Sequence, residues 1–222
     1  SRLSEKGYHA IISIPHASPV DPDRPIKELD TYFVNSTLAI KRVIDFAEQA
    51  PEIDASKVGV FGASLGGIRA SLAFGYDLRI KSAYTVVAGG NFPTLWINCQ
   101  EDNCIKYRKE RRKREGFKSN KDIKRYLEQH SDIDPVAFAQ RRQSKDMYML
   151  IAGRDKKVPT QNQKDLWDAH GKPQRRVYSF LNHVQTAVAS MALSNKGQIF
   201  RFFQARFNGK PFSDQKKKKK GW

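Results

Sequence analysis

A chain of 222 residues with 39% hydrophobic and 11% aromatic content has apolar material for one domain with a sizeable core, or for two small ones, and wholesale disorder is excluded. Its longest apolar runs, residues 11–14 and 147–152 among them, are strand-length and far short of the roughly 20 residues a helix needs to span a bilayer. The net charge of +17 is concentrated: five lysines run from Lys216 to Lys220, and eleven Lys/Arg crowd the segment from Lys106 to Arg125. Without zinc-finger spacing or an RNP-like aromatic motif, specific nucleic-acid recognition is not expected. A solvated helical face and a disordered tail are expected instead, with an anionic surface as the candidate partner of both segments.

The chain opens at Ser1 with neither Met nor a charged–apolar–small leader, so its natural start is expected upstream. Tyr8 to Pro15 is apolar and β-rich and predicts a buried strand. After a Pro/Asp loop, Asp30 is placed to cap a helix reaching about Gln49, with Phe33, Thr37, Ile40, Ile44 and Ala47 on its inner face. A strand over residues 57–61, a helix over 65–74 and a strand over 80–88 follow. Residues 91–145 turn charged and helical. Within them Cys99 and Cys104 share one short segment with no further Cys or His beside it. That argues against a metal site and leaves a local disulfide and two free thiols both open. Strand 147–152, helix 161–169, strand 176–181 and one long helix over 185–207, carrying Val188, Met191, Ile199, Phe202 and Phe203, complete the pattern. Such alternation predicts an α/β fold, a mostly parallel sheet covered on both faces.

The chemistry is carried by three loops. Gly62-Ala63-Ser64-Leu65-Gly66-Gly67 is a Gly-x-Ser-x-Gly string that chance alone supplies in roughly one chain in ten of this length. Its context gives it weight, because it joins a predicted strand to a predicted helix. A sharp turn there needs glycine on both sides of a strained serine, and it lifts the hydroxyl above the sheet edge. It also aims the Leu65 amide at a developing oxyanion. A serine hydroxyl needs a base near neutral pH. Of the five histidines, His183 alone sits between the last strand and the last helix, at the same sheet edge as Ser64. Asp155, in the loop after strand 147–152, is placed to orient that imidazole; the competing reading pairs it with Arg154 or Lys156 on the surface. The order Ser, Asp, His suits the α/β-hydrolase arrangement.

The segments Gly-Tyr-His-Ala-Ile-Ile, Val-Gly-Val-Phe-Gly-Ala-Ser-Leu-Gly-Gly, Ala-Gly-Arg-Asp-Lys-Lys-Val-Pro and Leu-Asn-His-Val resemble the α/β-hydrolase superfamily, in the flavour of dienelactone-hydrolase-like and prolyl-oligopeptidase-like bacterial hydrolases. The resemblance implies a hydrolase core over residues 1–90 and 146–212 and a helical lid over 91–145, and the lysine-rich composition of residues 213–222 predicts a disordered tail. The resemblance further implies ester, thioester or amide hydrolysis through an acyl-enzyme in a bacterial protein, without metal or organic cofactor; the compartment, cytoplasm or envelope, is left open. Catalytic Ser64, Asp155 and His183 and oxyanion donor Leu65 are the residues it carries over. A peptidase or acyltransferase on the same three residues, and a non-catalytic protein binding anionic surfaces, are the alternatives. In that family another strand separates the Gly-Tyr-His-Ala-Ile strand from the nucleophile strand and supplies the second oxyanion donor. The chain is therefore expected to be N-terminally truncated, or else Tyr8 to Pro15 takes the central place and the loop at residues 16–18 offers the amides.

Overall fold

Among the described residues of the computed structural model, 7–14, 18–195 and 197–214, the chain forms α1 (Glu28–Gln49), β1 (Val58–Ala63), α2 (Leu65–Tyr76), β2 (Ile80–Val86), α3 (Phe92–Asn98), α4 (Asp102–Glu115), α5 (Asn120–His130), α6 (Pro135–Ala139), β3 (Met147–Ala152), α7 (Thr160–Ala169), β4 (Gln174–Tyr178), α8 (His183–Asn195) and α9 (Gln198–Phe207). The four strands lie in the order β1-β2-β3-β4, and every pairing is parallel.

The side-chain alternation of a strand sorts this sheet into two cores. Met147, Met149 and Ile151 face a cluster with Ile44, Ala73, Phe74 and Leu166, from α1, α2 and α7. Tyr148, Leu150 and Ala152 face the opposite cluster with Phe202, Phe203 and Phe212. All six residues of β3 are buried, which is why that strand reads as an uninterrupted apolar run rather than an alternating one. A third cluster joins α1 and α2 to the helices between β2 and β3 through Phe33, Phe92, Trp96, Tyr107 and Leu127. No helix among the described residues is long and apolar enough to cross a membrane.

Four expectations are corrected. Residues 8–14 form no strand; Ile12 is 82% exposed and Ile11 and Ile14 are exposed too. A β-rich sequence becomes a strand only where a pleated neighbour receives it, and the sheet order ends at β1. The segment is held instead by Tyr8, edge-on to Phe200 at 5.1 Å, and by Arg69, which donates to the Ser13 carbonyl and hydroxyl. Residues 15–17 lie outside the described residues. Second, α1 begins at Glu28, so Asp30 is inside the helix; its carboxylate accepts from the Ser131 hydroxyl and the Asp132 amide. Third, the last helix is two helices, α9 starting after Gly197 in the left-handed region at φ 73°. Val188 and Met191 are exposed, whereas Thr186 and Ser190 are buried. The rotation of α8 is set by its first residue, His183, whose inward stripe continues three and seven positions on. Fourth, Asp214 falls in the expected tail but is tied to Tyr148, Arg176 and Gln198. The lysines from Lys216 to Lys220 lie outside the described residues.

His170, at the end of α7, is buried against the Phe74 ring. Burial pushes its pKa down to about 4, with Arg142 adding to the effect. The unfolded chain takes up a proton near pH 6.5 that the native site refuses. Stability is therefore full above pH 6.5 and falls by up to about 3 kcal/mol as pH drops towards 4. Urea denaturation at pH 7 and pH 4.5 is expected to show this loss in the native sequence and a clearly smaller one in His170→Phe.

Candidate active site

Register brings the site together. Ala63 pairs with Val86 and Val86 with Leu150, while Ala152 pairs with Tyr178, so the loops after β1, β3 and β4 leave the sheet at one edge. Backbone bonds carry the alignment beyond the strands: Ser64 N–H donates to the Val86 carbonyl, Gly153 N–H to Tyr178 and Arg154 N–H to Leu181. Gly153 is required here, because a Cβ would sit 2.3 Å from the Ser179 carbonyl oxygen. Only a bare backbone lets the Asp155 loop lie flat on the loop that leads to His183.

Ser64 occupies the turn from β1 into α2 at φ 54°, ψ −126°, a region that non-glycine residues avoid. The turn closes so tightly that a Cβ on Gly62 would lie 2.1 Å from the Gly66 carbonyl oxygen, and one on Gly67 2.8 Å from the Ala88 Cβ. Gly66 itself has nothing within 4 Å of such a Cβ. The close approach thus demands Gly62 on one side of Ser64 and Gly67 on the other, while Gly66 is not needed for space. Leu65 opens α2, so its N–H has no acceptor within the helix and stands at the positive end of the helix dipole.

The Ser64 Oγ lies 2.8 Å from His183 Nε2, and His183 Nδ1 lies 2.7 Å from Asp155 Oδ2. The three residues singled out from the sequence therefore form one hydrogen-bonded chain. The His183 side chain keeps 12% of its surface exposed and that of Asp155 none. A buried carboxylate survives only if hydrogen-bonded throughout, and this one is: Oδ1 accepts the Lys157 and Val158 amides, and Oδ2 accepts Gln163 Nε2 as well as His183. Asp155 pairs with neither Arg154 nor Lys156; Arg154 stacks on Phe180.

Gln163 and Asp134 are the residues that sequence reading missed. Gln163, fully buried, donates to Asp155 Oδ2 and to the Val158 carbonyl while its Oε1 accepts the Ala152 amide. It fastens the end of β3, the Asp155 loop and α7 into one unit. The only sequence signal was a polar residue at an inward position of a helix. Asp134 is held by the backbone amides of Asn91, Phe92 and Val136, and burial raises its pKa. It ties the start of the helical segment after β2 to its end. That segment also touches the Asp155 loop, where the Gln100 N–H donates to the Lys156 carbonyl at 2.8 Å, beside a Cys99–Cys104 disulfide. Among the described residues no group of three or more His, Cys, Asp or Glu is placed to hold a metal ion.

No protein-family model and no curated protein sequence matches the chain. Solved structures do. An acetyl xylan esterase from Paenibacillus sp. R4 superposes with a TM-score of 0.63 at 20% identity, over 90% of this chain and 60% of its own. Acetyl xylan esterase 1 from Thermoanaerobacterium sp. JW/SL YS485 gives 0.62 at 14% identity, over 83% and 58%. The acylaminoacyl peptidase of Pyrococcus horikoshii gives 0.59 at 13%, over 89% and 30%. The chain thus spans about 60% of the length of these esterases and less of the peptidase. At such identities the likeness speaks for the fold, and the fold is that of the α/β-hydrolases.

Replacing Gln163 by Leu strips a donor from Asp155 Oδ2 and orphans the Ala152 amide. Buried polar groups left without partners cost about 1–3 kcal/mol each. The variant should unfold at clearly lower urea concentration than the native chain, with an unchanged denaturant slope.

Proposed function

We propose that the protein is a serine hydrolase that cleaves a carboxylic ester through an acyl-enzyme intermediate. The observation that carries this reading is the continuous chain from Ser64 Oγ through His183 to a desolvated Asp155 carboxylate, at a strained strand-to-helix turn. The esterases and peptidase of like fold support hydrolysis as the reaction class.

Ser64 Oγ attacks the ester carbonyl carbon as its proton passes to His183 Nε2. The carbonyl π pair moves to oxygen, and the Leu65 N–H donates to the charge that develops there. Collapse of the tetrahedral adduct breaks the bond to the leaving oxygen, which takes the proton from His183, and Ser64 remains acylated. A water then repeats the sequence, giving its proton to His183 and releasing the carboxylic acid. Asp155 keeps the Nδ1–H tautomer in place and stabilises the imidazolium at each stage without taking the proton. The helices over residues 91–145 act as a lid beside this centre, and no metal or organic cofactor enters the scheme.

Short-chain p-nitrophenyl esters should be hydrolysed, and Ser64→Ala should lower kcat by roughly 10⁴-fold or more. A fluorophosphonate probe should label Ser64 alone. Undiminished turnover in the variant, or labelling of another serine, would remove the assignment. Running matched amide substrates alongside separates esterase from peptidase action.

A second reading, compatible with the first, rests on α4. Lys106, Lys109 and Lys113 share one exposed face of that helix, and none of them forms an ion pair among the described residues. Such a stripe suits an anionic surface. Heparin retention should decline steeply with salt. Retention that vanishes when residues 214–222 are removed would assign the binding to the lysine tail instead.

A further inference from the structure

A cavity of about 500 Å³ opens beside the Asp155 loop, lined by Ile97, Asn98, Gln100, Arg108, Asp155, Lys156 and Pro159. Its size lies in the range of small-ligand sites, and its wall carries two cations, Arg108 and Lys156, against the single carboxylate of Asp155. Arg108 is 8% exposed. Its Nη1 donates to the Trp96 and Cys99 carbonyls at 2.7 and 2.8 Å, which satisfies hydrogens but supplies no counter-charge. No carboxylate among the described residues lies within ion-pair distance of Arg108 or Lys156, whereas the next residue, Lys157, pairs with Glu101 at 2.9 Å. Burial pulls the Arg108 pKa down, and Arg112 adds to it. A buried cation without an anion is costly unless something negative completes it. Asp155 cannot do so, since its oxygens are committed to His183, Gln163 and two amides.

The walls are also braced. The disulfide closes the loop that carries Gln100, the Gln100 amide is bonded to the Lys156 carbonyl, and Arg108 fixes the end of α3. Side-chain amides of Asn98 and Gln100 add neutral donors to the same lining. This is a braced recess with two cations and one fully committed carboxylate, and that carboxylate is the one bonded to His183.

We propose that this recess binds a carboxylate or phosphate group carried by the substrate, so that the protein prefers anionic esters. The proposal rests on the hydrolase reading for its kinetics but not for its binding. Arg108 supplies the planar fork and Lys156 a mobile point charge.

Two substrate pairs separate the sources of the anion. On the acyl side, 4-nitrophenyl hydrogen succinate is compared with 4-nitrophenyl butyrate; on the leaving-group side, 4-acetoxybenzoate is compared with its methyl ester. In one pair the anionic member should have the higher kcat/KM by about tenfold or more, the worth of one charge-assisted hydrogen bond. That ratio should collapse towards one in Lys156→Met, an exposed position where folding is not at stake, and in Arg108→Gln. In parallel, calorimetric titration of the full chain with inorganic phosphate should give saturable binding that Lys156→Met weakens about tenfold. No anionic preference in either pair, or a preference that both variants retain, overturns the substrate assignment. Absence of saturable phosphate binding overturns the site itself. Should no ester be cleaved and Ser64 resist the fluorophosphonate, the hydrolase reading fails while the phosphate titration still decides the recess.

Discussion

The Asp155 carboxylate is the point on which the site depends. A negative charge with no exposed side-chain surface is tolerable only when donors surround it, and four do: two amides of its own loop, the Gln163 side chain and the His183 ring. The loop must therefore curl back on itself, α7 must present Gln163, and the β4–α8 loop must present His183, all at one place. Each requirement fixes the orientation of an element whose own sequence would leave it free to rotate. The buried charge converts three separate loops into one geometry.

The sheet makes that convergence cheap. Parallel strands in register deliver their C-terminal ends to one edge, and the loops need only bend, not travel. Strain is then spent locally, at Ser64 with φ 54° and at Val87 with φ 46°. A β-branched residue in the left-handed region is an outlier. The Val87 amide donates to the Leu150 carbonyl and Ser64 N–H to Val86, so the ladder bonds that extend the sheet also hold the unfavourable dihedrals. The turn cannot relax without unzipping the strand end next to it.

Strands β1, β2 and β3 were legible because their apolar runs are compact and bounded by Gly, Asp or Lys. Ser64, Asp155 and His183 were legible because each follows a strand and their order restricts the arrangement. What was not legible depends on partners. Residues 8–14 carry the same β-rich composition as β3, yet β3 is sandwiched by two pairing strands while 8–14 pair with no strand among the described residues. Val188 and Met191 looked like core on periodicity, and α8 instead turns Thr186 and Ser190 inward, because His183 sets the rotation. Gln163 was invisible for the same reason. Its value lies in three bonds to groups that sequence distance does not bring together.

The charged segment after β2 makes the point in electrostatic form. Composition counts eleven cations from Lys106 to Arg125 and treats them alike, as a solvated helical face open to an anionic surface. The fold divides them. Arg111 is buried, bonded to Glu115 and to the Pro22 carbonyl, and serves to pin the loop before α1. Arg108 is buried against carbonyls beside the Asp155 loop. Lys106, Lys109 and Lys113 stay outside, without ion pairs among the described residues. Because Arg keeps its proton in almost any surroundings, a buried arginine must be answered by geometry rather than by titration. Arg111 has its carboxylate. Arg108 has only carbonyl dipoles among the described residues, and its charge lies beside the Asp155 loop rather than in solvent.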